Sequence, residues 1–441
     1  MLNKYNLYYR TFLVLFWGAM CWGFVTEEFL TFLAPLENAF FLLMDVALLV
    51  IGMCLLRRKR DVAILLSFLG IAVLSTVLIN RLSFLTFFNG SRDFFGILFV
   101  VPVLAFFLSG DRAVEFKTRF DRQLRIWLAL QAFCLVWQFI RYGANDHGGG
   151  TMGYGASGMV SMLIYIVSYY LTIQNWDFDD YWGSLKRNKW NVLLLIPTYL
   201  NETKFSFLLL VLYFILLFRP TRRTLLQMAY VLPVAIVLFI GVMHLYLSTI
   251  DDTFKTEYDV LSWEYLSEYI FSGDDLDDRI ELALDLQEGV VEQDPDYNLI
   301  VDIERVAKIN FMPDLVEKTR GGIFFGAGLG HFKGGTTVAE TQFMRTNKWI
   351  LIGTRPWIFT VFIQLGVSGL LWFFGSFYFD CFYKVKRNGK QNRLYFLLTV
   401  CMLLMLVYNE AFRYYYFCIV YFYLYLAIRL YKPTDAKRLT A

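Results

Sequence analysis

The chain alternates long apolar runs with short loops whose positive charges are sorted to every second loop, and this constrains it more than any single motif. Apolar runs cover 11–25, 38–56, 61–79, 94–109, 126–140, 158–173, 190–200, 205–218, 225–249, 358–379, 394–408 and 412–428. A membrane-crossing helix needs about 20 mostly apolar residues, so the expected fold is an all-α polytopic membrane protein with about twelve transmembrane helices. The pair at 190–218 is short for that task. If the N-terminus is cytoplasmic, the inside loops and tails hold 26 Lys and Arg, whereas the outside loops, apart from residues 251–350, hold six. Cytoplasmic loops carry such an excess, which places both termini in the cytoplasm. Lys4 and Arg10 ahead of the first run resemble a signal peptide, but no small-x-small cleavage site follows. An anchor is expected there. Composition agrees: 57% hydrophobic and 18% charged residues compare with about half and a quarter in soluble domains. A cytosolic enzyme, a secreted disulfide scaffold and a disordered regulator are excluded together.

One loop breaks the rhythm. Residues 251–350 contain 21 acids and 9 bases, a net of −12, leaving +15 for the rest of the chain. The expected organisation is a membrane domain over 1–250 with nine spans, an acidic and mostly helical outer loop over 251–357, and a second membrane segment over 358–441 with three spans and a cytoplasmic tail. Asp274, Asp275, Asp277 and Asp278 precede a helical apolar pattern, where acids favour a helix N-terminus. The spacing of a calcium-binding EF-hand loop is missing. The six cysteines lie in or beside apolar runs with no CxxC pattern, and read as packing residues.

The outside cations resist the trend that sets the topology. They are Arg81, Arg92, Arg141, Lys204, Arg355 and Arg413. Each alone fits a side chain snorkelling to the interface; together they suggest an anion held at the outer surface, for which guanidinium forks are suited. Lys204 lies in Asn201-Glu202-Thr203-Lys204, a polar turn between two apolar runs, where ionisable residues at membrane depth are functional candidates. The alternative is a Glu202–Lys204 pair closing the turn. Glycines at 321, 322, 326, 328, 330, 334 and 335 allow a backbone to approach an anion closely, with His331, Lys333 and Arg345 nearby. His331 is the expected general base, since imidazole titrates near neutrality. His147 is second, and His244 also maps near an outer end. Glu202, Glu340 and Glu410 are carboxylate alternatives, with Glu410 and Arg413 spaced to pair with each other. Tyr414, Tyr415, Tyr416, Phe417, Tyr421, Phe422, Tyr423 and Tyr425 in the last run fit an interface belt better than a groove for a polyprenyl tail. Glu27-Glu28 is a weak match to the acidic pair of some lipid-sugar transferases. Asp177, Asp179 and Asp180 map to the cytoplasmic side.

Four stretches carry a resemblance to the bacterial O-antigen polymerase and O-antigen ligase superfamily. They are Gly148–Gly158 after Arg141, the Asn201–Phe207 turn, the Phe325–Gly330 glycines, and Gln364-Leu365-Gly366-Val367-Ser368-Gly369-Leu370, which looks like the family's "glutamate-x-glycine-x-x-glycine" opening. The resemblance implies a metal-independent glycosyltransferase of the bacterial inner membrane. Its partners would be membrane lipid, an undecaprenyl-pyrophosphate-linked oligosaccharide and a chain-length regulator protein, and its large loop would be periplasmic. No cofactor, metal or nucleic acid is expected. Thr203-Lys204 replaces the family's frequent Ser-Arg, and Arg355-Pro356 stands where ligases carry a His. The expected reaction is polymerisation of surface-polysaccharide repeat units. Catalysis would fall to His331, Glu202 or Glu410, and donor binding to Arg92, Arg141, Lys204, Lys333, Arg345, Arg355 and Arg413. The alternatives are a ligase that differs only in its acceptor, a lipid-oligosaccharide flippase, and a sensor with the loop as its binding module.

Overall fold

A computed structural model describes residues 2–109, 111–143, 148–201, 205–219, 305–332, 341–351, 355–382 and 389–429. The described residues form helices and connecting turns, with no strand among them. The main helices are α1 (Leu2–Glu28), α2 (Glu37–Leu55), α3 (Lys59–Val73), α4 (Phe84–Ser91), α5 (Phe95–Leu108), α6 (Ala113–Tyr142), α7 (Ser157–Gln174), α8 (Phe205–Leu217), α9 (Arg305–Glu317), α10 (Trp357–Phe377), α11 (Gly389–Tyr408) and α12 (Tyr415–Arg429). Seven continuous helical stretches among the described residues are long and apolar enough to cross a membrane. They are Thr31–Leu55, Lys59–Ile79, Phe84–Leu108, Ala113–Tyr142, Ser157–Gln174, Trp357–Phe382 and Gly389–Tyr408. The chain is an all-α membrane protein.

Five of the twelve expected spans are not among these seven: 11–25 lies within α1, 205–218 and 412–428 form the shorter helices α8 and α12, and 190–200 and 225–249 differ or are not described. Residues 190–200 form the short helix Lys189–Leu193 and a 3-10 turn over Ile196–Asn201, far too short to cross. Pro197 is the second residue of the 3-10 turn and has no N–H with which to continue the preceding helical ladder. The run at 225–249 lies outside the described residues, as does most of the acidic loop.

α5 and α12 form the centre. Both are apolar or aromatic on every face, as a helix buried all round must be, and α12 packs on α5, α7 and α1. Between helices in lipid the association depends on close packing and polar contacts, because lipid tails are as apolar as leucine. Glycines permit that approach here: a Cβ on Gly96 would lie 2.8 Å from Cys418 Sγ, and one on Gly52 would lie 2.6 Å from Phe99 Cβ. α2 and α3 lie outside this centre and expose Leu43, Val50, Met53 and Leu66.

The tyrosine-rich run is divided: Tyr414 at its start is exposed, and the tyrosines further along face the protein interior. Tyr421, Tyr423 and Tyr425 are fully buried. Tyr421 donates to Leu398 O (2.5 Å) and Tyr423 to Asp121 Oδ1 (2.5 Å). Buried phenols need such partners, and α12 finds them in its neighbours.

Candidate functional site

Helix direction sorts the charged groups into two sets. The α4–α5 stretch begins, α6 ends, α10 begins, α11 ends and α12 begins at one end of the bundle, where Arg413 meets Asp93 and Arg355 meets Glu410. Lys117, Lys390 and Arg393 occupy the other end. Asp93 lies nine residues beyond Phe84 in one continuous helical stretch, about 13 Å at 1.5 Å per residue. The Glu410–Arg413 turn that meets it is thus recessed below the start of α4.

Glu410 is the hub of this recess. It is 8% exposed and accepts from Arg355 Nε (2.8 Å), Arg355 Nη2 (3.2 Å), Arg413 Nη1 (2.8 Å) and Thr360 Oγ1 (2.6 Å). Burial pushes its carboxyl up, but Arg355, Arg413 and the Thr360 hydroxyl outweigh that and hold it down at about 2. A carboxylate held that low is a poor proton acceptor at neutral pH. What it does well is fix two guanidiniums. Arg413 is further held by Asp93 Oδ1 (3.0 Å), and Arg355 by Leu351 O (2.9 Å) and by the ring of Phe332, 4.6 Å from its Cζ. A guanidinium has five N–H donors. Among the described residues three of Arg355's and two of Arg413's are spent. The remaining donors are held in place by these contacts.

The other expected cations are placed separately. Arg92 turns to Asp45 Oδ2 at 2.7 Å rather than into the Glu410 cluster. Arg141 pairs with Glu28 (2.5 Å), which also accepts from Trp137 Nε1 (3.1 Å). Arg345 is exposed on the short helix Gln342–Thr346. Glu202, Lys204, Lys333, Glu340, His147 and His244 lie outside the described residues. The sequence reading missed that Asp45, Asp93 and Glu28 neutralise three of these cations, because each partner is remote in the chain.

His331 does not stand as a free base. Its Nε2 lies 2.7 Å from Ala327 O and its Nδ1 lies 2.6 Å from Thr341 Oγ1. The carbonyl can only accept, so Nε2 carries the proton and Nδ1 accepts from the hydroxyl. Burial lowers the imidazole to about 4 against the opposing effect of Ala327 O, so the ring is neutral. It ties the glycine segment to the Thr341 cap of the next helix, where Thr341 accepts from Met344 N.

The glycine segment is likewise spent on the fold. Ala327 N and Gly328 N donate to Ile363 O (2.8 Å) and Gln364 O (3.0 Å). Leu329 N donates to Thr76 Oγ1 (2.9 Å) and Gly330 N to Gln364 Oε1 (3.1 Å). Four successive amides are thereby unavailable to an anion. The glycines serve close approach instead. Gly366 has φ 61° and breaks α10, and its Cβ would lie 2.4 Å from Ile323 O; Gly326 has φ 63°, and its Cβ would lie 2.6 Å from Ile363 O. Two of the motif stretches thus lock together.

Compared with protein-family models, curated proteins and solved structures, the chain finds no match in any of the three.

A further carboxylate, next to Glu28, belongs to this end. Glu27 is exposed and accepts the backbone N–H of Tyr154 on both oxygens, at 3.0 and 2.9 Å. Burial of part of the group raises its carboxyl, aided by Glu28 and Glu37 and opposed by the Tyr154 N–H. The turn from Gly153 to Gly158 joins it to the recess: a Cβ on Gly153 would lie 2.6 Å from Glu27 Oε1, and one on Gly158 would lie 2.4 Å from Tyr408, two residues before Glu410.

Proposed function

We propose that the protein polymerises surface-polysaccharide repeat units, transferring glycan from an undecaprenyl-pyrophosphate donor at the periplasmic face of a bacterial inner membrane, with both termini cytoplasmic and about twelve spans. One observation carries the reading: Arg355 and Arg413 are clamped on one buried carboxylate with N–H donors left over, in a recess set below the start of α4. Ionisable groups within a membrane domain mark function by default, and donors fixed in advance stabilise charge that develops on a leaving group.

In this reading the acceptor hydroxyl oxygen attacks the anomeric carbon of the donor. The bond from that carbon to the pyrophosphate oxygen breaks, and the pyrophosphate leaves on the spare donors of Arg355 and Arg413. The hydroxyl proton passes to Glu27, the exposed carboxylate at the same end with the raised pKa. Glu410 remains ionised throughout and acts as a positioning residue.

The test is a gene deletion restored with wild type, Arg355→Ala or Arg413→Ala, with surface glycan resolved on a gel. Single-repeat product in the deletion and in both variants supports the reading. A full ladder from the deletion removes it. Full-length polymer that stays lipid-linked makes the protein a ligase.

A further inference from the structure

The end of the bundle opposite Glu410 holds two adjoining recesses that share Gln174 and Lys390. The outer one, about 420 Å³, is bordered by the turn that follows α7, including Trp176, Asp177 and Phe178. The inner one is an apolar slot formed by Ile173, Leu394, Ala427 and Ile428, with Lys117 and Tyr170 at its wall. Two polar groups stand where these spaces meet. The Gln174 Nε2 atom is buried beside Tyr170 with no partner in hydrogen-bond geometry, while its Oε1 accepts from Lys117 Nζ at 3.2 Å. A buried amide left without an acceptor is costly, so an acceptor from outside the described chain would relieve it.

Two of the cations around this junction, Lys117 and Arg219, are held in ion pairs. Lys117 Nζ is 2.7 Å from Asp121 Oδ2, and Asp121 also accepts from Tyr170 (2.9 Å) and Tyr423 (2.5 Å). Arg219 is 3.0 Å from Asp179 Oδ1. Arg393 donates to Leu216 O and Phe218 O, both at 2.7 Å, and lies over the Phe178 ring. Lys390 and Arg393 make no ion pair within the described residues, and Lys390, with Asp177 as its nearest opposite charge, faces both recesses.

We propose that this junction is a second ligand site that takes a phosphate group on Lys390 Nζ and Gln174 Nε2. A phosphate offers acceptor oxygens to an ammonium and an amide, and the apolar side chains of Leu394, Ala427 and Ile428 stand beside them. A phospholipid headgroup and a soluble phosphate share this chemistry, and the experiment distinguishes them. The site does not depend on the glycan reading, since it lies at the other end of the bundle from Glu410.

The experiment uses purified full-length protein in detergent, with binding of dioctanoyl phosphatidylglycerol followed by native mass spectrometry and glycerol 3-phosphate as competitor. Saturable binding is expected in wild type. Lys390→Gln and Gln174→Leu each weaken it by about tenfold, as for loss of one charge-assisted contact, and Lys390→Arg retains it. Gln174→Leu removes the amide and leaves Lys390 in place, while Lys117 keeps Asp121 as its partner, so it reads the site even where Lys390→Gln alters folding. Competition by glycerol 3-phosphate at the concentration of the lipid assigns the site to a soluble phosphate. Absence of saturable binding by either compound, or unchanged affinity in a folded Lys390→Gln protein, overturns the proposal.

Discussion

Arg355 grips Glu410 at two points, with Nε on Oε1 at 2.8 Å and Nη2 on Oε2 at 3.2 Å, although 55 residues separate them. The pair joins the segment that enters α10 to the turn between α11 and α12. Arg413 takes the second oxygen as well and extends the link to Asp93 in the α4–α5 stretch. Glu410 therefore ties three separate parts of the chain at one recess.

Removing that carboxylate leaves two guanidiniums without their shared partner. Breaking a buried ion pair from one side typically costs about 3–5 kcal/mol. Glu410→Ala is expected to lose stability on that scale, measured as a lowered Tm in detergent. Thr360→Val deletes one hydrogen bond to a charged group and should cost about 1.5–3 kcal/mol. An unchanged Tm in Glu410→Ala would show that the recess contributes nothing to the fold.

His331 gives the fold a pH dependence of defined sign. Its folded pKa is lowered to about 4, below the usual value near 6.5, so the unfolded chain binds the extra proton between those limits. The contribution is fully present above about pH 6.5 and is lost as pH falls toward 4, amounting to about 3 kcal/mol. Thermal unfolding across this window should show falling Tm, and His331→Gln should flatten the slope. Glu410 acts lower: its stabilisation, present above the ordinary carboxylate range, is lost as pH drops from about 4.3 toward 2.

The glycine lock is testable with a single methyl group. Gly366→Ala and Gly326→Ala each place a Cβ against a backbone oxygen at positive φ, so each is expected to cost about 1–3 kcal/mol or more. Gly375→Ala, with nothing within 4 Å of its added Cβ, should be neutral or stabilising by up to about 1 kcal/mol. Limited proteolysis within 305–332 should rise in the first two variants alone. Equal cleavage in all three would refute a lock at Gly366.

Arg92 and Asp45 offer a two-residue cycle. Asp45→Ala strands Arg92 and should destabilise by about 3–5 kcal/mol, whereas Asp45→Leu with Arg92→Met should recover most of that loss. Additive single and double effects would mean the two side chains do not interact.

For the most part, what the sequence determined is what solvent and periodicity dictate. Long apolar runs have to be helices, because lipid offers a backbone no hydrogen-bond partners, and seven such helical stretches stand among the described residues. The spacing of Glu410 and Arg413 foretold their ion pair. Only the tertiary structure decided what remote partners do. Apolarity does not tell a lipid-facing helix from a central one, so the tyrosines of α12 read as a belt until α5, α6 and α11 closed around them. A lone arginine looks like a ligand-binding cation until Asp45, Asp93 or Glu28 arrives from elsewhere in the chain. Glycine permits both an anion cradle and close backbone packing, and the choice at 326–330 rests with Thr76, Ile363 and Gln364, which take the amide protons. Local pattern sets which conformations are open to a residue, and the partner that satisfies it is fixed by packing between segments far apart in the chain.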